Sequence, residues 1–200
     1  MKTAFCFDLD GTITKLEILP LLAREVGIEP EMSVLTQATI NGFLPFEQSF
    51  RLRIRLLSEI SIKNVQNIIK NVPLQNEIIN FIRQNLEHSY IVTGNLDIWI
   101  EKLMKKIGCN YYSSKADYTN DKLIGLKSPL NKADAIKDLK NKGYERIVVV
   151  GDGMNDVQMF EIADIKIAFG GVHQPVLSLT KLSDYIIYHE KSLCNFLKML

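Results

Sequence analysis

FCFDLDGTIT, residues 5–14, sets two aspartates, Asp8 and Asp10, on either side of Leu9 where an apolar run stops. Residues 3–9 (TAFCFDL) carry the β-branched and aromatic side chains of a short buried strand, and Gly11-Thr12 turns the chain directly after it. In extended backbone, residues i and i+2 share a face, so both carboxylates point to one side of the strand end. Like charges this close must be protonated or neutralised by a cation. What else reaches that strand end therefore decides the reading.

Further along, strands and helices alternate. SYIVTGN (89–95) reads as a strand ending in a Gly turn, and LDIWIEKLMKKIG (96–108) as a helix closed by Gly108. CNYYSSKADYTNDKLIGL (109–126) predicts a hairpin around Thr119-Asn120-Asp121, and NKADAIKDLKNKG (131–143) a helix closed by Gly143. ERIVVV (145–150) is a continuous apolar run of the kind buried on both faces, followed by GDGMND and a helix from about Asp156 to Ala163. IKIAFGG (165–171) and DYIIY (184–188) predict two more strands. This order predicts an α/β fold, a Rossmann-like three-layer parallel sheet. Residues 14–74 are the exception, with no strand. A helix is expected over 15–27, with Leu16, Ile18, Leu19, Leu22 and Val26 on its apolar face and Pro20 bending it. Helical periodicity continues over 30–70, with breaks near Gly42–Pro45 and Ser61–Lys63, and an amphipathic helix covers 75–86. The expected division is a core of residues 1–13 and 75–200 with an inserted helical cap, 14–74, acting as a lid.

With 200 residues, 46% hydrophobic and 24% charged, one domain with an insertion can bury a sizeable core. A net charge of +1 provides no bulk field for nucleic acid or an anionic membrane. No apolar stretch approaches the roughly 20 residues of a membrane span, and the aspartates break the N-terminal run before it takes signal-peptide form. Cys6, Cys109 and Cys194 show neither metal spacing nor an even-numbered framework, and Cys6 and Cys194 read as buried thiols. A soluble, cytoplasmic protein is expected, a monomer or homodimer with no nucleic-acid or membrane partner.

Ligands of open α/β sheets bind beyond the carboxyl ends of the strands. Four features fall there: Asp8–Thr12, Thr93-Gly94-Asn95, Lys132 at a helix start, and Gly151–Asp156. Taken alone, either Asp-Gly pair is an ordinary turn. Together, Asp8, Asp10, Asp152 and Asp156 make a set of carboxylates suited to Mg²⁺, a cation that takes oxygen ligands and shares substrate phosphate. Asp8 is placed to attack phosphorus and form an aspartyl-phosphate. Asp10 is placed to protonate the leaving alcohol and later to deprotonate water. Thr93 and Gly94 offer an O–H and an N–H to phosphate oxygens. Lys132 offers a point charge, with Lys127 and Lys137 as rivals. Asn155, Gly94 and Asn95 are candidate substrate contacts.

FDLDGTIT resembles the DxDGT signature of the haloacid dehalogenase superfamily. IVTGN resembles its second motif, Lys132 its third, and GDGMND its fourth, GDxxxD, with Asp152 binding metal and Asp156 supporting the metal shell or Lys132. The four stand in the family's order across nearly the whole chain, and the helical insertion resembles the family's C1 cap. The resemblance implies a Mg²⁺-dependent phosphatase for a small phosphorylated metabolite. LLAREVG (21–27), NGFLPFEQSFRLRIRLL (41–57) and GDGMNDVQMFEIADIKIAFGG (151–171) further resemble the phosphoserine phosphatase family. On that resemblance Glu17 contacts a substrate amine and Arg53 a substrate carboxylate. One position departs from it: Asn95 stands where those enzymes have a second glycine, putting an amide beside the leaving group.

Other classes fit less well. A signalling receiver domain also forms an aspartyl-phosphate but is shorter and lacks both the insertion and the second acid. A transporting ATPase needs membrane spans, and a P-loop kinase needs G-x-x-x-x-G-K-[ST]. A silent phospho-binding protein is left as the alternative, along with a phosphatase for phosphothreonine, phosphoethanolamine, a sugar phosphate or a nucleotide.

Overall fold

The computed structural model describes residues 1–200, the side chain of Ile40 apart. Its strands are β1 (Thr3–Phe7), β2 (Ser89–Leu96), β3 (Asn110–Thr119), β4 (Lys122–Ser128), β5 (Arg146–Gly151), β6 (Ile165–Phe169) and β7 (Tyr185–Ile187). Between β1 and β2 run α1 (Ile18–Ala23), α2 (Glu29–Ile40), α3 (Phe46–Leu57), α4 (Ile62–Lys70) and α5 (Asn76–Gln84). The later helices are α6 (Asp97–Ile107), α7 (Lys132–Asn141), α8 (Val157–Phe160), α9 (Leu177–Leu182) and α10 (Glu190–Leu197).

The strands form one sheet in the order β4-β3-β2-β1-β5-β6-β7, parallel except for the β3–β4 hairpin. Alternate strand residues feed two cores, as period-2 geometry requires. Phe5, Phe7, Ile91, Val148 and Val150 face one side, with α5, α6 and α10. Ala4, Cys6, Tyr90, Val92, Ile147 and Val149 face the other, with α7, α8 and α9. This is the expected three-layer arrangement. All three cysteines are buried and free. No helix is long and apolar enough to cross a membrane among the described residues.

Topology puts the chemistry in one place. β1 lies between β2 and β5, and the chain steps outward from it in both directions, through β3 on one side and β6 on the other. Such a switch point leaves a crevice beyond the strand ends, where Asp8, Thr93–Asn95 and Asp152 follow one another across three adjacent strands. The helices α1 to α4 leave and rejoin this edge at a single β-bridge, Thr14 to Leu74.

Several local expectations need correcting. The first helix begins only at Ile18, whose N–H is taken by Asp10 Oδ1 at 2.9 Å, and it gives way to a 3₁₀ turn over Arg24–Val26. Leu16 and Val26 therefore lie outside it and are exposed. Pro20 falls in its first turn, where no intrahelical N–H bond is lost. The helix expected from Asp156 to Ala163 shortens to α8, after a 3₁₀ turn over Met154–Asp156 that Lys132 and Asp156 anchor. The hairpin turns at Asn120, whose φ of 51° is one that Asn tolerates.

Candidate active site

Strand β1 ends with Asp8 N–H donating to Val150 O at 2.9 Å, which locks the first aspartate beside β5. Gly11 follows with φ of 69°, and a Cβ there would stand 2.6 Å from Asp152 Oδ2. The Asp-Gly turn is thus more than a turn, because only a residue without a side chain lets the first loop approach the carboxylate after β5 this closely. Thr12 Oγ1 donates to Asp152 Oδ1 at 3.3 Å and completes the junction.

Lys132 resolves the choice among lysines. It is 2% exposed at the start of α7, whereas the Lys127 and Lys137 side chains face solvent. Its ammonium donates to Asp8 Oδ1, and to Asp156 Oδ1 at 2.6 Å. Asp156 is fully buried, and its Oδ2 accepts the Asp152 and Gly153 N–H groups at 3.0 Å each. Its lone pairs are committed to holding the loop and the lysine. Asp8 and Asp152 each keep one carboxylate oxygen without a hydrogen-bond partner among the described residues.

Oxygens of Asp8, Asp152 and Asp156 lie within 4.8 Å of one another, a group that can hold a metal ion. Burial pushes the Asp8 carboxyl well up despite the opposing Lys132 charge, and burial with the Asp156 and Asp8 charges does the same for Asp152. Burial works against the Lys132 ammonium, but Asp156 and Asp8 overcome it and raise its titration. One lysine among so many carboxylates leaves a deficit of positive charge. An oxygen-only donor set short of cations fits a hard divalent ion.

Asp10 accepts the Ile18 N–H on one oxygen and the Asn95 side-chain amide on the other. Burial and the Glu17 charge push it up to about 7, against those two bonds. Two neighbouring carboxyls thus have different environments, one clamped by a lysine and the other held near neutrality. Thr93 differs from expectation. It is 1% exposed and does not line the cavity, and its Oγ1 accepts both the backbone and side-chain N–H groups of Asn95 at 3.1 Å. Gly94 and Asn95 meet the cavity instead, at a register irregularity of β2 between Thr93 and Leu96.

A cavity of about 490 Å³ lies between these strand ends and helices α1 to α3. Asp8, Asp10, Lys132, Asp152 and Asn155 line its floor. From the helices come Glu17, Arg53 and Phe46, which stacks on Phe50 at 5.2 Å and sits so close over Gly94 that no Cβ fits there. Arg53 is 5% exposed, unlike the exposed Arg51 and Arg55. Its Nη1 donates to Thr36 Oγ1 at 3.2 Å. Burial lowers its titration while the Asp10 and Glu17 charges oppose that. A cation and an anion therefore face one cavity beside Asp8. Sequence reading missed His173, whose Nε2 lies 3.2 Å from Glu17 Oε1.

The sequence profile of the haloacid dehalogenase-like hydrolases matches residues 5–161. The chain belongs to that family. Among relatives of this hydrolase, a phosphoserine phosphatase of Methanocaldococcus jannaschii is 32% identical over 84% of this chain and 85% of its own. A solved structure of a phospho-aspartyl intermediate analogue of phosphoserine phosphatase is 30% identical, covers 98% of both chains and superposes with a TM-score of 0.82. A substrate-bound phosphoserine phosphatase complex is 29% identical, covers 98% of this chain and 97% of its own, and reaches the same TM-score. This haloacid dehalogenase-like hydrolase is a phosphatase, of the phosphoserine phosphatase type.

Proposed function

We propose that the enzyme hydrolyses L-phosphoserine to serine and phosphate through an aspartyl-phosphate on Asp8, with Mg²⁺ as its metal, in the cytoplasm. The observation that carries the substrate assignment is the placement of Arg53 and Glu17 in one cavity with Asp8. A small phosphomonoester bearing both a carboxylate and an ammonium meets a guanidinium fork and a carboxylate there. The likeness to phosphoserine phosphatases supports the same choice. Residues 14–74 act as the cap, and residues 1–13 with 75–200 as the catalytic core.

In this mechanism the free Asp8 oxygen attacks phosphorus while Asp10 gives its proton to the departing serine oxygen. Asp10 then takes a proton from the water that attacks the aspartyl-phosphate, releasing phosphate and restoring Asp8. Lys132 and the Gly94 N–H hold the phosphoryl oxygens, Asn155 flanks them, and Thr93 fixes Asn95 against Asp10. Mg²⁺, held by Asp8, the Asp10 carbonyl and Asp152, with Asp156 supporting from behind, would offset charge developing on the phosphoryl group. Closure of the helices over the cavity keeps bulk water from the intermediate.

A second reading, a different small phosphomonoester, is favoured by Asn95, whose amide stands beside Asp10 where the leaving group departs. A phosphate-release screen with Mg²⁺ separates the two. It should cover phosphoserine, phosphothreonine, phosphoethanolamine, sugar phosphates and nucleotides. Strong turnover of phosphoserine supports the assignment, and a flat response to it beside strong turnover of another compound rejects it. Arg53→Ala should raise KM chiefly for substrates that carry a carboxylate.

A further inference from the structure

Glu17 has two sides. One faces the cavity over Asp8, and the other lines a smaller hollow of about 250 Å³ on the outer surface, formed by α1, α2 and the loop after β6. Among the described residues, only Glu17 and Thr36 line both. Thr36 accepts from Arg53, so one charged recognition residue is held from this outer side. The other has a matching partner in His173. Its Nε2 is buried and makes no well-directed hydrogen bond among the described residues; its ion-pair contact is Glu17 Oε1 at 3.2 Å. The Glu17 carboxylate beside it raises the titration of His173 against partial burial, favouring the imidazolium.

We propose that His173 is a positioning residue for substrate recognition: from the loop after β6 it holds one oxygen of Glu17 at the outer wall and leaves the other turned to the cavity for a substrate ammonium. The inference rests on the reading of Glu17 as the ammonium site. It follows from economy of geometry. A glutamate has three rotatable bonds, and Glu17, which precedes α1 and makes no side-chain cap bond, would otherwise be free to turn outward. The loop that carries His173 belongs to the sheet half of the molecule, so the contact also ties α1 to the strand ends. Asp10, Arg53, Lys15 and Arg24 are the other charged groups around this wall.

The test compares KM and kcat of wild type, His173→Ala and His173→Gln on O-phosphoserine and on 3-phosphooxypropanoate, which has the same phosphate and carboxylate but no amine. His173→Ala should raise KM for phosphoserine about fivefold, with kcat preserved and KM for the amine-free compound within about twofold of wild type. His173→Gln, which keeps an N–H donor, should recover most of the loss. Equal changes for both substrates, or a lower KM for phosphoserine in His173→Ala, would overturn the role of His173. A wild-type enzyme with no preference for phosphoserine over the amine-free compound would instead overturn the reading of Glu17, and this inference with it.

Discussion

Replacing Lys132 by methionine keeps the length of the side chain and its apolar stem while deleting its charge. The ammonium joins Asp8 and Asp156, and none of the three side chains exceeds 4% exposure. Removing one partner from such a buried arrangement costs about 3–5 kcal/mol, because the charge left behind is uncompensated. In a chain of this size each kcal/mol moves Tm by about 2–4 °C, so a metal-free variant should melt about 10 °C below wild type at about pH 8. The deficit has a pH signature. Asp8 already has a raised carboxyl that Lys132 opposes, so without the lysine it rises further. A carboxyl raised above its unfolded value contributes stability while protonated and loses it as pH climbs through the folded value. The gap between variant and wild type should therefore be widest near pH 8 and narrow at about pH 5. Thermal unfolding by circular dichroism in chelator at both pH values reads this directly. A gap that is the same at both, or that stays below about 1 kcal/mol as for an exposed pair, would refute the role given to Lys132.

Three further outcomes follow from the same geometry. Asp10 titrates at about 7, so kcat on phosphoserine should fall as pH rises past that value, while 4-nitrophenyl phosphate, whose leaving group needs no proton, should show a flatter profile. Asn95→Ala frees one Asp10 oxygen and should lower kcat on phosphoserine about tenfold with a much smaller effect on 4-nitrophenyl phosphate, measured in parallel steady-state assays. Gly11→Ala imposes a left-handed φ on a residue with a Cβ, a cost of about 1–2 kcal/mol, and drives that Cβ into Asp152; a Mg²⁺ titration of activity should show weaker metal activation alongside the lower Tm.

The central strands and the site-bearing loops were legible because each carries a local signature. ERIVVV is apolar without interruption, Gly108 and Gly143 close helices at left-handed φ, and Thr119-Asn120-Asp121 turns a hairpin as its residue types require. The short helices α9 and α10 go beyond what the sequence predicts. In α9 only Leu179 is buried, too little apolar periodicity to mark a helix, and tertiary packing decides it. The start of α1 was misplaced for a related reason, since Asp10 caps Ile18 from eight residues upstream. The four aspartates were found through their spacing after strands. Lys132 was found too, but its choice over Lys127 and Lys137 needed burial. The withdrawal of Thr93 behind Asn95 depends on a strand irregularity, and the meeting of His173 with Glu17 on tertiary placement; neither leaves a mark in local sequence.

The most direct test of the mechanism is to locate the phosphoryl group in transit. The enzyme is mixed with labelled phosphoserine and Mg²⁺, quenched in acid within one turnover, reduced with borohydride and mapped by mass spectrometry. Reduction of an aspartyl-phosphate should convert Asp8 alone to homoserine, and the signal should vanish in Asp8→Asn together with turnover. Full turnover in Asp8→Asn, or a modified residue other than Asp8, would contradict the account.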